Sequence, residues 1–108
     1  DEIYSMIESF TQAAVRCEKA GFHGVELHGA HSYLICQFLG ELTNRREDGW
    51  GGDIYSRSRF LREIIQSVRK ATNPNANIIF MLLDILVSYI TAQSSKLNIF
   101  QLTPLILC

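Results

Sequence analysis

Two histidines and a tyrosine stand close together in the first third of the sequence, at positions 28, 31 and 33. Imidazoles three residues apart, such as His28 and His31, can both donate a hydrogen bond to one oxygen atom. A nearby phenol such as Tyr33 can then supply a proton to a carbon atom. Groups of these types suit a reaction in which negative charge develops on a carbonyl oxygen.

Two other interpretations of the histidine pair stay open on spacing alone. Structural histidines are at least as common as catalytic ones, so His28 and His31 could serve only the fold. They could also bind a metal ion, with Glu26 or Asp48 as a third ligand. Because no further ligand with a recognisable zinc spacing follows, we expect no metal site.

The residues before the pair predict the elements that position it. Apolar residues recur at steps of three and four from Ile3 to Cys17, which indicates an amphipathic helix, and Gly21 is placed to end it. The short, mostly apolar stretch from Phe22 to Leu27 is typical of a strand buried on both faces. The three polar side chains therefore follow the carboxyl end of a strand, where parallel α/β folds bind ligands.

A second helix and strand follow a long loop over residues 29–55, within which residues 33–39 are predicted to form a short helix. Ser56 is the predicted N-cap of the second helix, and Asn73-Pro74 ends it. Ile78 to Leu83 is the predicted second buried strand. This order is a βαβ unit preceded by a helix, so we expect an α/β fold with a parallel sheet, either a closed barrel or an open doubly wound one.

Composition narrows the class of protein. The chain has 108 residues, 47% of them apolar, and a formal net charge of −1 with scattered basic residues, so we expect one globular domain and no nucleic-acid partner. Three cysteines without metal or redox spacing indicate reduced thiols inside the cell. No signal-peptide pattern opens the sequence, and the apolar run from Ile78 to Ile90 is too short for a membrane span. We therefore expect a cytoplasmic protein without membrane contact.

The run from Ala20 to Phe60 resembles the Old Yellow Enzyme, or NADH:flavin oxidoreductase, family, which includes 2,4-dienoyl-CoA reductases and oxophytodienoate reductases. The matching positions are in register over about forty residues: Ala20, Gly21, Phe22, Gly24, Val25, Glu26, His28, Gly29, Ala30, His31, Tyr33, Leu34, Gln37, Phe38, Leu39, Asn44, Arg46, Asp48, Gly51, Gly52, Arg57, Arg59 and Phe60. The departures from the family pattern leave the two histidines and the tyrosine in place: His23 for Asp, Ser32 for Gly, Gly40-Glu41 for Ser-Pro, Trp50 for Tyr, Asp53 for Ser and Ser56 for Asn.

The resemblance implies a fragment of a TIM (β/α)8 barrel, about two βα units over residues 1–83, joined to a divergent apolar tail over residues 84–108. It implies a flavin mononucleotide (FMN) cofactor, reduction by NADH or NADPH, and a small enone or enoyl substrate. By the same resemblance His28 and His31 bind the substrate carbonyl and Tyr33 is the catalytic proton donor. No residue is assigned to the cofactor, because apolar residues from Ile78 to Leu83 replace the family's flavin-contacting arginine. The isolated fragment is expected to be inactive.

The remaining family-like residues are predicted to support the fold. Four charged side chains should hold the long loop: Arg46, Asp48, Arg57 and Arg59. The pair Gly51-Gly52 should permit a tight turn. Glu26 should be paired within its buried strand. Three further residues are interpreted as packing: Gln37, Phe38 and Trp50. The alternative to an enzyme is a non-catalytic truncated remnant, or an interaction fragment, that does not bind flavin.

Overall fold

The computed structural model describes residues 2–75 with their side chains and the backbone of residues 77–81. Six elements follow one another along these residues: α1 (Glu2–Lys19), β1 (Gly24–His28), α2 (Leu34–Leu39), α3 (Ile54–Arg57), α4 (Arg59–Ala71) and β2 (Asn77–Met81). The positions predicted as the end of the second strand, residues 82–83, and the predicted apolar tail, residues 84–108, lie outside the described residues.

The two strands form a parallel pair, as the sequence predicts. Gly24 lies beside Asn77 at one end of the pairing and His28 beside Met81 at the other. Helix α4 is part of the connection between them, so β1, α4 and β2 make up a βαβ unit. The parallel α/β prediction is therefore confirmed over the described part of the chain.

Helix α1 ends as the glycine at position 21 predicts. Gly21 has a φ of 85°, a left-handed conformation that costs glycine little. Its N–H donates to the carbonyl of Glu18 at 2.9 Å, and the N–H of Phe22 donates to the carbonyl of Cys17 at 3.1 Å. These two bonds are those of a Schellman motif, which satisfies the last carbonyls of the helix. Phe22 thus belongs to the cap, is exposed, and lies outside the strand in which it was predicted.

The core lies between α1, α4 and one face of the sheet. Its largest fully buried side chains belong mostly to α4: Phe60, Ile64, Ile65 and Val68, with Ile35 from α2. Phe60 contacts Phe10 of α1 edge-on, with ring centroids 6.3 Å apart. A polar contact also joins the two helices, since the hydroxyls of Thr11 and Ser67 are 2.8 Å apart. Helical periodicity predicted these faces, and burial of the shared apolar surface stabilises their contact.

Among the described residues only one face of β1 is covered, whereas the sequence predicts a strand buried on both faces. Leu27 is buried and Val25 packs against the core, whereas Glu26 between them is exposed. Since successive strand side chains point to opposite faces, Glu26 and His28 share the face turned away from the helices. Glu26 is exposed and makes no hydrogen bond or ion pair among the described residues, so the predicted pairing of its carboxylate is not found within them.

The start of the second helix also differs from the prediction. Asp53, not Ser56, is the N-cap: its carboxylate accepts a 2.7 Å hydrogen bond from the N–H of Ser56, which lies inside α3. The helical segment is interrupted at Ser58, and α4 begins at Arg59. An aspartate caps a helix as well as a serine does, so residue type alone does not choose between positions 53 and 56.

Within the part of the chain that the structure describes, no helix is both long and apolar enough to cross a membrane.

Candidate active site

His28 is the last residue of β1, and His31 folds back against it. Nδ1 of His31 lies 3.2 Å from Nε2 of His28, within hydrogen-bonding distance, and the ring centroids are 5.1 Å apart. One ring nitrogen must carry the proton and the other must accept it. His28 is half-buried at the strand end, whereas His31 is exposed. The pair therefore lies at the carboxyl edge of the parallel sheet, on the side away from the helices.

A tight turn produces this contact. His31 and Ser32 have φ values of 54° and 60°, and the N–H of Tyr33 donates to the carbonyl of Ala30 at 3.2 Å. Positive φ at both central positions is the pattern of a type I′ turn, which reverses the chain within four residues. Ser32 occupies a conformation that favours glycine, so this departure from the family pattern falls on a strained position.

Tyr33 completes the cluster. Its ring centroid is 5.2 Å from that of His28, and the ring is largely exposed, at 62%. The residue is the N-cap of α2, in an extended conformation. All three predicted site residues therefore lie together at the end of β1. The mutual contact leaves two ring nitrogens unused, Nδ1 of His28 and Nε2 of His31.

Asn44 organises the loop that follows α2. The side chain is 8% exposed, and its Nδ2 donates to the carbonyls of Phe38 and Trp50, both at 2.7 Å. Its Oδ1 accepts from the N–H of Arg46 at 3.2 Å. All its polar atoms are thus used, as buried amides require. In the sequence, Asn44 is distinguished only by its place in the family-like block.

Arg46 and Asp48 form a two-pronged ion pair on this loop. Nε and Nη2 of Arg46 donate to the two carboxylate oxygens at 3.0 and 2.6 Å. The carboxylate also accepts from the N–H of Trp50 at 3.1 Å. The hydrogen bond from Arg46 is the main cause that lowers the pKa of Asp48 below its ordinary value. The predicted loop-holding role of this pair is confirmed.

Arg57 and Arg59 connect the loop to the helices, also as predicted. Arg57 is buried, donates from Nε to the carbonyl of Leu39 at 2.9 Å, and also bonds the carbonyl of Gly52. The Arg59 guanidinium lies 4.1 Å from the centre of the Trp50 ring. Charge-assisted bonds of this kind are stronger than neutral ones, which suits them to hold a loop without regular structure.

Glycine is required at positions 51 and 52 of the loop for two different structural reasons. Gly52 has a φ of 86°, in the left-handed region. At Gly51 a Cβ atom would collide with the backbone carbonyl of Arg46. The predicted tight turn is confirmed, and the close approach of the backbone at Gly51 is an additional requirement.

Of the three residues interpreted as packing, two pack and one does not. Phe38 stacks on Phe60 with ring centroids 4.3 Å apart, and Trp50 is buried. Gln37 is exposed, and its side-chain Nε2 donates to the carbonyl of Ser32 at 2.7 Å. The packing interpretation of Gln37 is wrong, because its amide reaches back to the turn that carries His31.

The described residues contain no group of three or more His, Cys, Asp or Glu side chains that could hold a metal ion. Cys17 and Cys36 are free thiols, and Cys108 lies outside the described residues. The FMN cofactor that the family resemblance implies carries a phosphate, whereas the exposed face of β1 carries Glu26 and His28. That face of β1 offers no fixed cation for a phosphate, so the described residues fit the substrate side of such a site only.

Two curated relatives match about two thirds of this chain. A 70-residue stretch, 65% of this chain, is 51% identical to an NADPH dehydrogenase of Clostridium acetobutylicum and covers 21% of that protein. An NADPH dehydrogenase of Bacillus pumilus is 49% identical over 70 residues, with the same coverage. The chain therefore matches about a fifth of the length of these relatives.

Solved structures show the same arrangement of elements. A 2-naphthoyl-CoA reductase in complex with 2-naphthoyl-CoA matches 85% of this chain with 31% identity and a TM-score of 0.75, over 16% of its own length. Morphinone reductase in complex with tetrahydroNAD matches 74% of this chain with 41% identity and a TM-score of 0.69, over 22% of its own length. The sequence profile of one family matches residues 1–96, which is most of the chain. This chain belongs to the NADH:flavin oxidoreductase / NADH oxidase family.

Proposed function

We propose that this chain forms the substrate-facing part of an FMN-dependent NAD(P)H oxidoreductase of the ene-reductase type, as about two βα units of a (β/α)8 barrel. The observation that carries the proposal is the meeting of His28, His31 and Tyr33 at the carboxyl end of a parallel strand. Active sites of such barrels lie at that end, on the loops that follow the strands.

The relatives support the cofactor and the reductant. Family membership favours FMN, and the two curated relatives named NADPH dehydrogenase favour a nicotinamide as the source of electrons. The solved neighbours contain 2-naphthoyl-CoA in one case and tetrahydroNAD in another. A small substrate with a carbonyl group conjugated to a carbon–carbon double bond, an enone or an enoyl thioester, is consistent with these ligands.

In the proposed reaction the histidines act on the substrate oxygen. His28 and His31 donate hydrogen bonds to the carbonyl, and these bonds strengthen as negative charge develops on the oxygen. The facing nitrogens are only 3.2 Å apart, and while they share one hydrogen bond only one of the two neutral rings has an N–H left to donate. A carbonyl oxygen that accepts from both histidines therefore separates the two rings. The mutual contact therefore holds the pair together until a substrate replaces it.

Tyr33 completes the reduction. An FMN held by the complete barrel and reduced by NADH or NADPH would supply the hydride for the β-carbon of the alkene. The phenol of Tyr33 then gives its proton to the α-carbon, so the double bond gains one hydride and one proton.

The proton-donor role is tested by separating the two half-reactions in a complete enzyme that carries this segment. We expect Tyr33→Phe to slow alkene reduction by roughly 100-fold, the usual contribution of a positioned general acid, and to leave flavin reduction by NADPH unchanged. Rapid-mixing absorbance of the flavin follows both steps. Tyr55→Phe is the matched control, since Tyr55 is equally exposed but lies in α3.

An equal loss in both half-reactions would show that Tyr33 serves the fold or the flavin instead of the substrate. A complete enzyme that binds no flavin at all would favour the non-catalytic alternative.

A further inference from the structure

The turn that carries His31 is conformationally costly. His31 and Ser32, both with side chains, adopt φ values of 54° and 60° in succession. In this region the Cβ of an L-residue comes too close to the following carbonyl oxygen, so only glycine adopts it without cost. Other interactions must therefore hold the turn in the closed form, defined here as the form in which His31 contacts His28.

Gln37 supplies such an interaction from the first turns of α2. Its side-chain Nε2 donates to the carbonyl of Ser32 at 2.7 Å, and its backbone N–H donates to the carbonyl of Tyr33 at 2.8 Å. One residue thus bonds two consecutive carbonyls where the chain leaves the turn. Tyr33, the N-cap of α2, makes no side-chain capping bond. The amide of Gln37 is therefore the side-chain contact that joins the helix to the turn.

We propose that Gln37 is a positioning residue: its amide holds the left-handed turn closed and thereby keeps His31 against His28. Gln37 acts through Ser32, whose carbonyl it bonds. The consequence for substrate binding rests on the proposed function, whereas the effect on the turn does not. With the amide removed, the turn opens more often, and His31 no longer lies against His28.

Nuclear magnetic resonance of the 108-residue chain tests the effect on the turn directly. The chain contains only three histidines, so the ring protons of His23, His28 and His31 are few enough to assign. A ring separation of 5.1 Å allows a nuclear Overhauser effect between His28 and His31. Gln37→Met keeps the length of the side chain and removes the donor. We expect it to shift the equilibrium from closed to open turn by about two- to tenfold, the usual effect of one hydrogen bond.

Three further variants make the result decisive. Gln66→Met is the matched control, because Gln66 is exposed on α4 and far along the chain from the turn. Gln37→Glu is a second variant without an amide donor, and at neutral pH it should open the turn as Gln37→Met does. Ser32→Gly removes the Cβ that makes positive φ costly, so in the Gln37→Met background it should restore most of the His28–His31 signal.

The proposal is overturned if both Gln37 variants keep the His28–His31 signal at its original strength, or if Gln66→Met loses it equally. It is also overturned if Ser32→Gly restores nothing, because the defect would then lie elsewhere than in the turn. These outcomes are read without flavin or substrate. If the turn responds as expected while a complete enzyme fails to reduce alkenes, the proposed function fails and the role of Gln37 in the turn stands.

Discussion

The guanidinium of Arg59 lies over the ring of Trp50, 4.1 Å from its centre, and joins the first turn of α4 to the loop before α3. The same side chain donates from Nη2 to the hydroxyl of Tyr4 in α1 at 3.2 Å. The Tyr4 ring meets Trp50 edge-on, with centroids 5.6 Å apart. One side chain of α4 thus contacts both the loop and α1, although this loop has little regular structure of its own.

Truncation of this side chain should loosen the loop. We expect Arg59→Ala to lower the free energy of unfolding by about 1–2 kcal/mol, since a cation over a partly buried aromatic ring contributes on this scale. Urea unfolding, followed by the fluorescence of Trp50, measures this change in the free energy of unfolding. Arg45→Ala, an exposed arginine of the same loop, should change stability by less than about 0.5 kcal/mol. Equal losses in the two variants would contradict a specific role for Arg59.

Asn44 should contribute more to the stability of the fold than its neighbours in the loop. Asn44→Ala leaves the carbonyls of Phe38 and Trp50 without their donor in a buried place. We expect a loss of about 2–3 kcal/mol in the free energy of unfolding, because unsatisfied buried polar groups are costly. Asn75→Ala, at an exposed position before β2, is the control and should be close to neutral. A loss below 1 kcal/mol, about the net value of one hydrogen bond, would show that water replaces the amide.

The ion pair of Arg46 and Asp48 should make the loop sensitive to acid. The pKa of Asp48 in the folded chain is lowered, first by the Arg46 hydrogen bond, so its contribution to stability is complete above its unfolded pKa. That contribution is lost as the pH falls through the lowered folded pKa, below about pH 4. At neutral pH Asp48→Asn should therefore be less stable than the original chain, and the difference should disappear in acid.

Urea unfolding at a series of pH values measures this difference. Glu47→Gln, a carboxylate of the same loop that makes no ion pair within the described residues, should show no comparable dependence. A gap for Asp48→Asn that stays constant into acid would mean that the carboxylate contributes through shape and not through its charge.

The 108-residue chain by itself should not hold FMN tightly. The open face of β1 presents Glu26, whose carboxylate opposes a phosphate, and this strand contains no lysine or arginine that could bind one. Hydrogen bonds from exposed side chains also count for little in water. We expect no quenching of flavin fluorescence up to about 10 μM chain, a concentration at which a site of micromolar affinity would be mostly filled. Riboflavin, which lacks the phosphate, is the control ligand. Stoichiometric quenching by FMN alone would show that the chain contains a phosphate site.

The helices and their ends could be predicted from the sequence, because they depend on short-range patterns. The apolar steps of α1 and α4, the glycine at position 21 and the stop at Asn73-Pro74 depend on residues within about one helical turn of each other. The parallel pairing of β1 and β2 followed from the order of the elements, because a helix between two neighbouring strands returns the chain in the same direction. Where two capping residues competed, as Asp53 and Ser56 did, residue type was insufficient, since both are good caps.

The sequence by itself determined which groups stand after β1 and how the chain is divided into helices and strands. Tertiary structure decided what depends on residues far apart or on a rare backbone conformation. Arg57 bonds the carbonyl of Leu39 across 18 residues, and Glu26 is exposed because the described residues cover only one face of β1. The contact of His31 with His28 requires two successive left-handed residues, one of them Ser32. Local propensity argues against that conformation, so contacts made by the surrounding fold, including that of Gln37, had to select it.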